Sequence, residues 1–409
     1  MLQSFSKLEL VAQGRRMGFK MGDYARNSKS ELIEMFMGRE QEAYDGLVNG
    51  VALVAGSTPS LPSPVIPHHF VAPVYNDIKV VDKLPAGKAF GVRGKALDGI
   101  EVEIWNDPSA PEVMEGYKFN AKHLRVALTA VARQRPVWLG GPAGTGKTEF
   151  VKQLCARLGR AFIRVQFDAS LEAYHIIGGE RVKSASTVWQ DGLVLQGFRR
   201  PGAVILLDEV GFARPEYTSS LHAAIEPNSC VTVPETGEVI KRAEGVCFFA
   251  ADNSNGRGDS TGVYAGIREQ NNAFLNRFAR FINFTYMSVE DEAEIVALQA
   301  GCPLALATLV SEFIAICRGK ADSGALESPP TMREAFYLAE ALMDGIPSRE
   351  AFETTVVNRS PIDCQEILQQ LWVANVNADL VEKAAAGDPV TLLTKVVKPE
   401  SVKSEPLHV

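Results

Sequence analysis

Pro136-Val137-Trp138-Leu139-Gly140-Gly141-Pro142-Ala143-Gly144-Thr145-Gly146-Lys147-Thr148 runs from an apolar tetrad into a glycine-rich loop. Gly141 to Thr148 matches G-x-x-x-x-G-K-[ST] in full. An apolar strand (136–139) ends just before it, and a helix is predicted over 147–158. Glycines let the backbone wrap an anion, so that successive N–H groups and the helix N-terminus face it. Gly141, Pro142, Ala143, Gly144, Thr145, Gly146, Lys147 and Thr148 are therefore the candidate triphosphate-binding residues. In such a loop the lysine, Lys147, reaches the β and γ phosphates, and the Thr148 hydroxyl is placed to ligate Mg²⁺.

Two further strands carry the rest of the chemistry. Val204-Ile205-Leu206-Leu207-Asp208-Glu209 reads as a buried strand ending in two carboxylates. Asp208 suits a magnesium role, and Glu209 suits polarising the attacking water. Adjacent strand residues point opposite ways, so the two cannot share one role. The next strand, Val246 onward, ends at Asp252-Asn253, and an amide there can orient water beside the γ phosphate. No Asn-Lys-x-Asp guanine-reading motif occurs, which favours ATP over GTP.

Working outward, helix (121–134), strand, loop, helix and strand (162–167) alternate, followed by strands at 203–207, 246–250 and 280–284. Apolar strands between helices predict a parallel sheet covered on both faces, an α/β core over 114–287. After Ser288 the strand pattern stops. Ser288 with Asp291 and Thr331 with Glu334 start helices, and Gly345 closes one, which predicts an all-α lid over 288–380 and a loose tail over 381–409. Upstream, 1–56 reads as a small helical domain, with Ser28 and Glu31 as a capping box and basic residues preceding acidic ones. Ser28 to Phe36 resembles a small helical DNA-binding module, but the match is short and a charged docking face weighs more. Residues 57–113 open with a proline-dense linker (57–67) and continue as short strands at 78–81 and 101–105.

Composition narrows the class. The 409 residues are 46% hydrophobic and 22% charged, enough for a sizeable core. The net charge of −7 argues against a dedicated nucleic-acid binder. No apolar run approaches the ~20 residues of a membrane-spanning helix, and the N-terminus shows no apolar signal core, so a soluble cytoplasmic protein without a membrane partner is expected. Six cysteines form no CxxC pair and read as free thiols, and His68-His69 lies in the proline-rich stretch and reads as solvated.

Phosphate loop, Asp-Glu strand, Asn-tipped strand and helical lid together resemble the AAA+ ATPases. The likeness is to the MoxR branch, and within it to the cobaltochelatase ATPase subunit and the CbbQ/NorQ-type activases. It is carried by Gly258-Asp259-Ser260-Thr261-Gly262-Val263-Tyr264-Ala265-Gly266, by Asn271 to Phe278, and by Asp191 to Glu209 with Leu221 to Glu226. The resemblance spans roughly residues 115–345 and implies Asn253 as the sensor amide, Arg277 as an arginine finger acting on a neighbouring subunit, and Arg333 as the lid's sensor arginine. Arg280 is the rival finger. Such a finger is worth ~10³–10⁵ in turnover, so activity would depend on assembly. Two departures stand out: Asn276 where the family has Asp, and Met332 where it has Pro. Hairpins at 180–195 and 230–240, the second turning at Pro234-Glu235-Thr236-Gly237, correspond to family insertions that face a pore or a substrate.

The expected function is a ring-forming, hexameric ATPase using ATP and Mg²⁺ to remodel a protein client. The family often pairs with a partner bearing a von Willebrand factor A domain and assists metal or cofactor insertion, though chelation itself does not follow from these residues. The alternatives are an AAA+ motor on nucleic acid, in replication or restriction, which salt-dependent DNA binding would reveal, and a nucleotide-regulated scaffold that assembles but turns over slowly.

Overall fold

The computed structural model describes residues 75–392, apart from 169, 184–185, 227–228, 234 and 259–265. The segment 1–56 predicted to be helical, the proline-rich linker, His68-His69, Pro234, most of the Gly258 to Gly266 stretch and the tail after 392 lie outside the described residues.

β1 (Val80–Pro85) and β2 (Glu101–Trp105) pair antiparallel, with α1 (Ala86–Phe90) between them. Then follow α2 (Ala121–Val131), β3 (Val137–Gly140), α3 (Lys147–Leu158), β4 (Phe162–Gln166), α4 (Ala173–Ile176), β5 (Gly178–Lys183), β6 (Ser186–Asp191) and α5 (Leu193–Arg199). The core continues with β7 (Val204–Asp208), α6 (Pro215–Ile225), β8 (Cys230–Thr232), β9 (Val239–Lys241), β10 (Cys247–Asp252), α7 (Asn272–Leu275) and β11 (Arg280–Asn283). Five strands form one sheet in the order β11-β3-β10-β7-β4, all parallel. β5–β6 and β8–β9 are separate antiparallel hairpins.

Strand alternation decides which residues face which helical layer. Val137, Leu139, Leu206 and Phe249 pack with α2 and α3, whereas Trp138, Ile205, Leu207 and Phe248 pack with α5 and α6. Burial on both faces explains why these strands are continuously apolar. The register places Gly140 beside Asp252 and Asn283, and Gln166 beside Asp208. The loop after β3 therefore emerges at the same sheet edge as Asp208 and Asn253, where open parallel sheets bind ligands.

The opposite edge is closed by β2. Trp105 is 4% exposed, and its ring lies over Gly202 and Gly245 while its carbonyl lies over Gly159. A Cβ on any of the three glycines would come within 2.6 Å of Trp105. All three have positive φ and stand just ahead of β4, β7 and β10. Arg160 stacks on the indole at 5.1 Å, and Arg200 pairs with buried Asp107. The β1–β2 hairpin is thus wedged beneath the sheet.

The remaining elements are helical: α8 (Val289–Ala300), α9 (Leu304–Asp322), α10 (Met332–Met343), α11 (Ser348–Thr355), α12 (Ile362–Asn375) and α13 (Ala378–Ala385). Ser288 accepts from Asp291 N, and Thr331 and Glu334 form a reciprocal cap, as the sequence predicts. This bundle has its own core around Phe313, Phe352 and Trp372, plus a buried Glu292–Arg318 pair. All six cysteines are free, and all but Cys230 are buried. Among the described residues no helix is long and apolar enough to cross a membrane.

Candidate nucleotide site

The loop from Gly141 to Gly146 is shaped by three glycines in conformations other residues resist. Gly141, Gly144 and Gly146 have φ of 131°, 73° and 82°. A Cβ on Gly141 would fall 2.1 Å from Phe284 O, and one on Gly144 would fall 2.5 Å from Thr331 Cβ. At Gly146 nothing lies within 4 Å of that position, so the loop opens there onto free space. Gly146 is the N-cap of α3, whose first-turn N–H groups face the same space.

Lys147 is buried, and its ammonium donates to Gly141 O at 2.7 Å, to Pro142 O at 2.8 Å and to Asn253 Oδ1 at 2.8 Å. Burial pulls its pKa down to about 8, against the opposing pull of Asp208, Asp252 and Glu209. The Thr148 hydroxyl donates to Asp208 Oδ2 at 2.9 Å. Asp208 is the last residue of β7. Glu209 is not on the strand as expected. It takes left-handed φ, ψ of 54°, 38°, which turns its carboxylate toward Gln166, whose amide donates to it at 3.2 Å. A non-glycine residue held there stores about 1–3 kcal/mol, a frequent mark of functional positions. Likewise β10 runs on to Asp252, which folds its own loop by accepting from Ser254 N, Ser254 Oγ and Gly256 N, leaving Asn253 to meet the lysine.

The lid closes the site from above. Thr331 sits on Gly144, and Arg333, one helical position into α10, lines the same space. Gly116 (φ 74°) is packed so closely by Leu298 that a Cβ would approach it to 2.7 Å. Met114, Met287 and Ile295 line the same cavity with these residues and give it an apolar portion. Lys118 spans the junction, donating to Asp291 and pairing with Glu294 on α8, and these carboxylates raise its pKa. The cavity, open on one side, measures about 630 Å³. A neighbouring cavity of about 500 Å³ shares Tyr117, Thr145 and Met287 with it and is walled by Phe90, Phe119 and Phe284. The lysine and carboxylates are in the larger one, so the chemistry belongs there.

Lys147, Thr148, Asp208, Glu209, Asn253 and Arg333 therefore meet around one cavity. Arg277 and Arg280 do not line it. Arg277 instead lies against α6, and Arg280 opens β11. Sequence reading passed over Arg164, which lines the cavity and pairs with Asp208 Oδ2 at 2.6 Å, and Gln166. Sequence offered half of the signal, two polar residues two apart on β4 and hence on one face; that β4 lies beside the carboxylate strand emerges only on folding.

Both predicted hairpins are formed, but the first runs over 178–191 rather than 180–195, because Leu193 to Leu195 open α5 and bury Val194 and Leu195 in the core. One side chain joins them. Arg199 donates to Asp191 Oδ2 at 2.7 Å at the foot of β5–β6, and to both oxygens of Glu238 (2.7 and 2.6 Å) in the β8–β9 turn. Trp189 Nε1 fixes the other Asp191 oxygen at 2.9 Å.

Residues 136–278 match the model of an AAA domain of the dynein-related subfamily. The chain is similar to the NorQ protein of Paracoccus denitrificans, 34% identical over 172 residues that span 42% of this chain and 60% of that protein. It is also similar to the aerobic cobaltochelatase subunit CobS of a Sinorhizobium species, 26% identical over 195 residues, 47% of this chain and 58% of that one. The match thus spans about six-tenths of the length of each relative. Among solved structures, the RuvB Holliday junction branch migration motor of Thermotoga maritima overlays 66% of this chain and 74% of its own, at 16% identity and a TM-score of 0.39.

Proposed function

We propose that the chain is an AAA+ ATPase of the MoxR branch, a reading supported by its match to the AAA domain model and its likeness to NorQ and CobS. It binds ATP between core and lid and hydrolyses it in a ring of copies. The observation that carries this reading is the convergence of Lys147, Thr148, Asp208, Glu209, Asn253 and Arg333 on one cavity.

Each residue's part follows from its geometry. The open cradle at Gly146 and the α3 N-terminus receive the phosphates. Lys147 exchanges a protein acceptor for phosphate oxygen. The apolar portion at Gly116 and Leu298 suits a flat base. Thr148 and Asp208 supply hard oxygens 2.9 Å apart, a donor set that fits magnesium, which when bound would offset phosphate charge. Glu209 takes the proton of the attacking water, and Asn253, released by Lys147, orients that water. Arg333 senses the nucleotide from the lid and Arg277 completes the site of the adjacent copy.

Hydrolysis alters the angle between lid and core, with Lys118 at the junction, and the two hairpins transmit that change to a protein client. The finer reading, a hexamer working with a von Willebrand factor A partner in metal or cofactor insertion, rests on likeness to CobS and NorQ.

The test is a mixing experiment. Glu209→Gln should bind ATP at wild-type affinity and turn over at about 1% of the normal rate or less. Mixing it with inactive Arg277→Ala chains should restore activity, because a finger acts across copies. Normal turnover by Glu209→Gln removes its assigned role. A mixture that stays silent, while Arg280→Ala complements instead, moves the finger to Arg280.

A further inference from the structure

We infer that Glu226, just past the C-terminal end of α6, is a positioning residue that holds Arg277 away from a neighbour's nucleotide. The inference rests on Arg277 being the arginine that acts across copies.

Within the chain Arg277 is folded back rather than extended. It is 26% exposed, and its guanidinium donates to Ala273 O. Its Nε lies 3.3 Å from Glu226 Oε1, yet no hydrogen-bond geometry is met there among the described residues. Glu226 is 56% exposed and is the one carboxylate within 4 Å of Arg277 among those residues. His222, one helical turn before Glu226, stacks on Phe274 at 5.7 Å and is close enough to Arg277 to feel its charge. Burial, and then Arg277 itself, hold the His222 pKa below the ordinary imidazole value, so it adds no charge of its own at neutral pH.

The contact is suited to resting, not to locking. A half-exposed ion pair without good hydrogen-bond geometry is worth a factor of only about 1.5–5 in population. A phosphate, with more charge and more acceptor oxygens, outcompetes it. Glu226 therefore sets how often Arg277 is available without preventing its use.

The experiment measures ATP turnover of the full chain at protein concentrations where specific activity no longer rises, for Glu226→Gln, Glu226→Ala, Arg277→Ala and Arg280→Ala. Both Glu226 variants should raise kcat about 1.5–5-fold and leave KM for ATP within twofold. Added salt should raise wild-type turnover toward theirs while leaving theirs flat, because screening loosens the same pair. A structural role would not produce that salt profile. Glu226→Gln turnover equal to or below wild type, with Arg277→Ala inactive, overturns the inference. Full activity in Arg277→Ala shows that the finger assignment itself is wrong, and Glu226 falls with it. Glu226→Gln keeps the side chain's size, so a folding defect confined to Glu226→Ala leaves the decision intact.

Discussion

Replacing Asn253 should separate the binding of ATP from its hydrolysis. In the free chain the Lys147 ammonium has three acceptors, Gly141 O, Pro142 O and Asn253 Oδ1, at 2.7 to 2.8 Å. A hydrogen bond to a charged group is worth about 1.5–3 kcal/mol. Asn253→Ala removes one from the free chain, where the lysine is 8% exposed and water is scarce. Once phosphate oxygens take over that donor, nothing is lost. ATP binding should then be unchanged, where water replaces the amide, or up to about 100-fold tighter, while turnover falls about 10²-fold for want of an oriented water. Asn253→Asp should do the reverse to binding. It strengthens the grip on Lys147 and sets a negative charge ~5 Å from phosphate, worth roughly 3 kcal/mol of repulsion at an effective dielectric of 20. After screening, affinity should drop about 10–100-fold. Titration with a fluorescent nonhydrolysable analogue, beside phosphate release, reads both quantities. If Asn253→Ala weakens ATP binding tenfold or more, the amide serves the bound nucleotide and not the empty lysine, and the reasoning fails.

Three other outcomes are expected. Lys147→Ala should abolish nucleotide binding in the same titration, and retained affinity would refute the phosphate-loop assignment. Lys147 titrates at about 8 in the free chain, while a triphosphate keeps it protonated. Binding should thus take up a proton above pH 8 and weaken there, by about twofold at pH 8 and about tenfold at pH 9, as calorimetry in buffers of different ionisation heat would show, with Lys147→Arg flat. Trp105→Ala should cost about 3–5 kcal/mol in urea unfolding, with no hydrogen-bond term because Trp105 Nε1 has no partner among the described residues; a loss under about 1 kcal/mol would mean the glycine slot does not hold the hairpin.

The parallel sheet and the lid were legible because both rest on local rules. Unbroken apolar runs give buried strands, and Thr331 with Glu334 marks a helix start by chemistry alone. The site's principal residues were legible because a phosphate loop needs glycines at fixed offsets. What stayed hidden was cross-strand. Arg164 and Gln166 matter only because β4 lies beside β7, and sequence order does not say which strands are neighbours. The left-handed turn at Glu209 was equally invisible, since glutamate seldom adopts it and only the surrounding packing imposes it. So too the seat of Trp105, whose three glycines are scattered over 159 to 245 and converge only on folding.

The bridge made by Arg199 bears on how the two ribbons would behave under load. A single guanidinium clamps the root of one and the bend of the other, and its own helix stands on the sheet that carries the carboxylates. Neither ribbon can tilt alone without breaking that clamp. They should swing as one unit, so that a client of the proposed kind would meet both in step.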